Sequence, residues 1–379
     1  MSIRLRRTNV KCRLNMERGM SAETRGWIED KVKAGERLTR EDALRLSRNT
    51  DLLFLGRLAQ EVKKRKTGDQ VFFNVNRHIN LTNICSSRCR FCAFSCDPGD
   101  PRAYTLTADQ AVKIVEDALP LGITEIHLVS ALHPGLPFAY YLEVVKRLKE
   151  RFPHIHLQAF TAVEIKYFSD ISGLSIREVL TRLQEAGLGS MPGGGAEIFS
   201  PRIRAELCPK KASGEEWIEV MKTAHELGIK SNATMLFGHI ETDEEMIDHL
   251  LQLRQLQDDT SGFQSFIPLP FHPRHTALSH LSPPTAWEAL RVLALSRLVL
   301  DNFSHIKAFW IMLGLKVAQL SLEFGVDDLD GTVVEERIVH AAGASTEKGI
   351  TKERLIEIIR QAGKVPVERD TLYRIIRVY

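Results

Sequence analysis

A chain of 379 residues with 44% hydrophobic and 26% charged residues has the make-up of a folded enzyme, either one large domain with extensions or two domains. Its net charge is only +3 and uneven, since residues 1–20 carry six Lys or Arg against one Glu (+5) and the remainder is −2, which leaves no basic body for nucleic acid. No stretch nears the ~18 apolar residues that span a bilayer, and six cysteines with no export signal fit a reducing cytoplasm rather than a disulfide framework.

In chain order, the basic head 1–20 lacks interleaved aromatics and reads as a disordered or mis-annotated start, with Met16 and Met20 as alternative initiators. Residues 21–69 read as an N-terminal helical extension, with Leu52, Leu55, Leu58 and Val62 at helical spacing. After Thr67-Gly68-Asp69 the period falls to two. In FFNVNRHINLTNIC, Asn74, Asn76, His78 and Asn80 share one face, while Val75, Ile79 and Leu81 take the other and Arg77 interrupts it. A polar row on a barrel strand marks a lumen that holds a polar ligand. Asn76, His78 and Asn80 are therefore candidate substrate contacts, against the plainer alternative of a solvated sheet face.

Next come Cys85, Cys89 and Cys92, a C-x3-C-x2-C run (CSSRCRFC) with Phe91 before its last member. Loop thiolates at these spacings can turn to one centre, and soft sulfur selects Zn, Cu(I) or an iron–sulfur cluster. Three ligands leave a [4Fe–4S] cube one open iron, whereas a structural zinc site closes with four. Cys96 could supply a fourth and make a zinc knuckle or ferredoxin-like site, and a metal-binding or electron-transfer module is the corresponding non-catalytic reading. Cys12 and Cys208 stand alone and read as packed or incidental.

Strand-like runs then recur at 125–129, 156–161, 187–190, 231–237, 262–269 and 306–313. Helical patterns alternate with them at 108–119, 138–151, 176–186, 214–227, 243–257, 284–300 and 315–323, several opening on capping boxes at Thr107/Gln110, Ser175/Glu178, Ser213/Glu216 and Thr242/Glu245. Strand followed by capped helix, repeated over 70–313, predicts an α/β fold, a partial or near-complete (β/α) barrel of the TIM type. Residues 314–379 read as a C-terminal helical extension. Barrel enzymes keep their chemistry at the carboxyl ends of the strands, and the cysteine run stands just past the first. Other strand ends offer His133, Glu164, Glu197 after a triple glycine, and His239. The last offers His272, Arg274 and His275, a basic rim suited to carboxylates.

Taken together, the cysteine run, TAVEI, GLGSMPGGGAEIF, SNATMLFGHIET, LQDDTSGFQSFIPLPFHP, DDLDGT and GKVPVERDTLY resemble the aminofutalosine synthase family of the radical S-adenosylmethionine superfamily, over roughly residues 50–375. The resemblance implies a [4Fe–4S] cluster on Cys85, Cys89 and Cys92, and S-adenosylmethionine as co-substrate. It also implies an external one-electron donor such as flavodoxin or ferredoxin, and a small substrate carrying carboxylates. Phe91, Ser130, Glu164, Glu197, Gly238 and Glu241 would contact the nucleoside or its methionine; Ser130-Ala131 stand where relatives carry Gly-Gly. The implied reaction is addition of a 5′-deoxyadenosyl radical to the enolpyruvyl double bond of 3-[(1-carboxyvinyl)oxy]benzoate, in menaquinone biosynthesis. Hydrogen abstraction, as in cyclic dehypoxanthinyl futalosine synthase or the tyrosine-using subunit of F0 synthase, is the alternative within the superfamily.

Overall fold

Ser21, Thr39 and Asp51 each turn a side-chain oxygen onto a free amide and so start three helices: α1 (Ala22–Ala34), α2 (Arg40–Ser47) and α3 (Leu52–Thr67). The computed structural model describes residues 20–49 and 51–379. Residues 1–19, and with them most of the expected disordered or mis-annotated head, lie outside the described residues.

The alternating segment after α3 is two strands rather than one, β1 (Gln70–Asn74) and β2 (Asn76–Asn80), and they belong to different sheets. From β2 the chain runs β2, α4 (Ala108–Ala118), β3 (Glu125–Val129), α5 (Phe138–Arg151), β4 (His156–Ala159), α6 (Ala162–Ser172) and α7 (Ile176–Ala186). It continues through β5 (Ser190–Met191), α8 (Pro201–Leu207), α9 (Gly214–Glu226), β6 (Lys230–Phe237), α10 (Asp243–Thr260), β7 (Phe263–Pro270), α11 (Ala286–Val299) and β8 (His305–Ile306). Strands β2 to β8 form one parallel sheet in sequence order, the curved wall of a barrel. All four expected capping boxes form, and further ones stand at Thr161 and Thr285. Leucine, valine and phenylalanine side chains between this wall and its helices make one continuous core.

The C-terminal region departs from the helical extension expected of it. Helices α12 (Trp310–Leu313), α13 (Leu315–Ser321), α14 (Ile338–Ala341) and α15 (Lys352–Gln361) are joined by strands β9 (Asp328–Gly331), β10 (Val365–Arg369) and β11 (Ile375–Val378). With β1 these strands build a second sheet in the order β11-β10-β1-β9. Single bridges pair Lys307 with Asp328 and Arg77 with Val334, so residues 328–334 fill the opening between β8 and β2 and close the barrel.

Buried ion pairs fasten this closing segment. Arg297 is fully buried, with its guanidinium 2.6 Å from Asp327 and donating to the Gly325 and Ser304 carbonyls; His305 stands 3.0 Å from the same carboxylate. Arg369 grips Asp328 at 2.7 Å and Lys307 grips Asp330 at 2.8 Å. Removing one member strands its partner's charge in the interior. Arg297→Met should therefore cost about 3–5 kcal/mol in urea unfolding, and adding Asp327→Leu should recover part of that loss.

Candidate active site

The carboxyl ends of the barrel strands open into a cavity of about 370 Å³, within the size range of small-molecule sites. Cys85, Cys89 and Cys92 line its mouth, His78, His127, Gln158 and Asn232 its depth, and Ile338, Val339 and Ala342 of α14 and its C-cap lie across it.

The cysteine loop is pinned at its base. Cys85 N–H donates to the Cys96 carbonyl at 3.2 Å and Cys96 N–H donates to Asn83 at 2.9 Å. Cys96 is thereby used as a backbone clasp, is buried, and does not line the cavity. Three thiols, not four, face the open space. Cys208, expected to be isolated, is buried in hydrogen-bond contact with Cys89. The Leu207 carbonyl beside it accepts from Arg90 N–H, at 2.9 Å. Among the described residues no three His, Cys, Asp or Glu side chains are drawn close enough together to hold a metal ion. What fits the cluster is the donor chemistry: three soft ligands of one short loop on one cavity wall, with room before them.

Beside the thiols lies a polar shelf. Glu164 is the acid of the Thr161 capping box, accepting from Thr161 N–H and Oγ–H at 2.8 Å, and its other oxygen accepts from Ser130 N–H at 2.7 Å. Burial pushes its carboxyl up to about 7, against the pull of the Thr161 and Ser130 donors. The Ser130 hydroxyl is buried without a partner. Glu197, in a left-handed backbone conformation (φ 47°), pairs with Lys211 at 2.5 Å. Burial works against the Lys211 charge, but Glu197 and the neighbouring thiols hold its pKa above the usual value. The ammonium also lies 5.3 Å over the Phe91 ring. Part of the triple glycine serves the protein itself: a Cβ on Gly193 would stand 2.7 Å from the Ala233 backbone.

His78, Asn80, Phe91, Ser130, Glu164, Glu197 and His272 thus share the cavity with the three cysteines. Asn76 is buried beneath it, bonded to Glu125 and to Val333 N–H. Gly238, His239 and Glu241 stand outside it in a closed turn, where the Glu241 carboxylate accepts from the Gly238 and His239 amides and His239 Nε2 meets the Leu236 carbonyl. His133 likewise spends Nδ1 on Gly135 N–H, away from the cavity. The basic rim does not assemble: Arg274 is exposed and packs by Gly343, His275 is exposed, and His272 alone reaches inward, bonded to the Met312 carbonyl. Lys211, His127, Gln158, Asp330 and Glu336 also line the cavity, though none was singled out from the sequence. For His127 and Gln158 the signal existed, since each is a polar residue in an apolar strand run, but the register needed to align them with His78 did not.

The superfamily model described as Radical SAM superfamily matches residues 79–253, and one described as CofH/MqnC C-terminal region matches 260–378. The chain is 50% identical over 356 residues to the aminodeoxyfutalosine synthase of Thermus thermophilus, covering 93% of this chain and 96% of that protein. It is 45% identical over 375 residues to the aminodeoxyfutalosine synthase of Streptomyces coelicolor, covering 96% of each. The crystal structure of methylornithine synthase superposes with a TM-score of 0.72 at 17% identity, over 89% of this chain and 97% of that one, a likeness of fold. No described helix is long and apolar enough to cross a membrane.

The buried Glu164 makes a pH-dependent prediction. Its folded pKa lies above the unfolded value, so its ionisation opposes folding as pH rises from about 4.5 to about 7. Glu164→Gln should remove that slope, and wild type should lose about 3 kcal/mol relative to the variant between pH 4.5 and pH 8 in urea unfolding. Parallel curves for the two proteins would show that folding does not raise the Glu164 pKa.

Proposed function

We propose a reaction for this chain from the premise that it belongs to the radical SAM superfamily, among the aminodeoxyfutalosine synthases. It joins the 5′-deoxyadenosyl group of S-adenosylmethionine to the enolpyruvyl carbon–carbon double bond of 3-[(1-carboxyvinyl)oxy]benzoate. Methionine is released and the enolpyruvyl carboxylate leaves as bicarbonate, with water consumed and the electron that starts the reaction given back, so that no net reductant is used and aminofutalosine is formed in menaquinone biosynthesis. The observation that carries this reading is the single cavity in which the three thiols stand at the mouth and a polar barrel floor lies behind them.

A [4Fe–4S] cluster on Cys85, Cys89 and Cys92, fed by a one-electron donor of the flavodoxin or ferredoxin type, supplies when bound the electron that opens the sulfonium of S-adenosylmethionine. The chain's own residues bind and orient. Lys211 and Glu197 set a cation and an anion side by side next to the thiols, complementary to the zwitterionic end of methionine. Glu164 fixes the Ser130 turn, leaving the Ser130 hydroxyl available to the same ligand. Ile338, Val339 and Ala342 cover the cavity and Leu269 and Phe271 line its wall, which keeps water from a reactive carbon. Holding both reactants in one cavity makes addition effectively unimolecular.

Incubating the anaerobically reconstituted, reduced protein with S-adenosylmethionine and the enolpyruvyl benzoate tests the reading. The expected product by mass spectrometry is the adenosyl adduct. Free 5′-deoxyadenosine with no adduct would instead indicate hydrogen abstraction. Cys92→Ala should lower acid-labile sulfide well below the roughly four per chain expected of wild type and abolish the adduct. One zinc and no sulfide in wild type would sink the radical reading.

A further inference from the structure

We propose that the stacked imidazoles of His78 and His127 form the carboxylate-binding end of the cavity, and that His127 takes up a proton when a substrate carboxylate docks there. This rests on the functional reading above, which supplies a dicarboxylate substrate.

The barrel register creates the pair. His78 on β2 is directly opposite His127 on β3, and His127 opposite Gln158 on β4. The two imidazole centroids are 4.3 Å apart, with the planes inclined by 14°. Hydrogen bonds set both tautomers. The Gln158 amide donates to Ser190 Oγ at 3.2 Å, so its carbonyl oxygen, 3.0 Å from His127 Nδ1, is an acceptor and Nδ1 carries the proton. The Asn76 carbonyl oxygen accepts from Val333 N–H at 2.8 Å, so its amide nitrogen is the group that faces His78 Nε2, at 3.5 Å. His78 therefore carries its proton on Nδ1. What remains on the pair is one N–H donor, His78 Nδ1, and one basic nitrogen, His127 Nε2. Once His127 is protonated, two donors meet the two oxygens of a carboxylate.

The charge balance of the cavity calls for that proton. The acids of its lining leave no cation to spare: Lys211 is paired with Glu197, Lys307 with Asp330 and His340 with Glu336, while burial pushes the Glu164 carboxyl up to about 7. Arg274, the cation expected for substrate carboxylates, is exposed elsewhere. A substrate carboxylate entering such a space finds no free cation among the described residues that line it, and an imidazole that gains a proton can supply one. Of the groups that face the pair, Glu125 lies 3.8 Å from His127 Nδ1, Asp330 is neutralised by Lys307, and Arg77 is paired with Glu335. Burial and the neighbouring His127 hold the His78 pKa well below its usual value, and the nitrogen that the hydrogen bonds leave free to accept a proton is His127 Nε2. Phe309 lies parallel to His78, within 5° at 6.5 Å, and offers an aromatic wall for the ring that bears the carboxylate.

The test is calorimetry of 3-[(1-carboxyvinyl)oxy]benzoate binding to the reconstituted, unreduced protein at pH 8, in buffers of differing ionisation enthalpy. The expected result is uptake of about one proton per ligand bound, with affinity falling roughly tenfold for each pH unit over which that uptake holds. His127→Gln should keep cluster absorbance and S-adenosylmethionine binding, lose the proton uptake and bind the benzoate roughly tenfold to hundredfold more weakly. Binding by wild type without proton uptake, or unchanged affinity and uptake in His127→Gln, overturns the proposal. The adduct assay run alongside separates the two readings. Adduct without proton uptake removes only the carboxylate subsite; uptake without adduct keeps the subsite and removes the transferase reading; no binding removes both.

Discussion

The parallel register of β2, β3 and β4 is the constraint on which the site depends. Because Asn76 to Asn80 pairs step for step with Glu125 to Val129, and Glu125 to Leu128 with His156 to Ala159, His78, His127 and Gln158 fall in one layer facing the lumen. A slip of one residue would turn all three outward and set Ile79, Leu128 and Ala159 into the cavity. The same register brings the carboxyl ends of these strands level, so that the thiol loop after β2, the Ser130 turn after β3 and the Thr161 cap after β4 meet at one mouth.

What holds that register is partly outside the barrel proper. Seven strands leave an opening, and residues 328–334 close it only because Asp327, Asp328 and Asp330 are each met by a cation from another element: Arg297 of α11, Arg369 of β10 and Lys307 after β8. Such buried pairs contribute little net stability compared with apolar packing, but each is costly to break from one side. Their effect here is positional. They fix Asp330 beside His78 and carry Glu336, Ile338 and Val339 over the cavity. The C-terminal region is thus a wall of the site, and the second sheet with β1 is its anchor.

Much of this was legible in the residues, and the part that was not has physical causes. The capping boxes at Thr107, Ser175, Ser213 and Thr242 are local, fixed within four residues, and they form as read. The alternation of polar residues from Asn74 to Asn80 marked a lumen face, and His78 and Asn80 line the cavity. The break at Val75 was invisible because both halves keep the same alternation while pairing with strands hundreds of residues apart in sequence. Strands β9 and β10 were hidden because their charged residues, Asp328, Asp330, Glu368 and Arg369, are buried against distant partners, the opposite of what an apolar strand pattern shows. The rim of His272, Arg274 and His275 is a cluster in sequence only. The Pro273 turn sends Arg274 and His275 to the surface and leaves His272 facing inward.

An anaerobic crystal structure with the cluster, S-adenosylmethionine and the enolpyruvyl benzoate bound tests the central claim, that one cavity holds both reactants between the thiol loop and the histidine floor. The account predicts the cluster on Cys85, Cys89 and Cys92, and the aryl carboxylate within hydrogen-bond reach of His78 Nδ1 and His127 Nε2. A benzoate whose carboxylates instead pair with Arg274 outside the barrel, or a cluster ligated through Cys96, would contradict it.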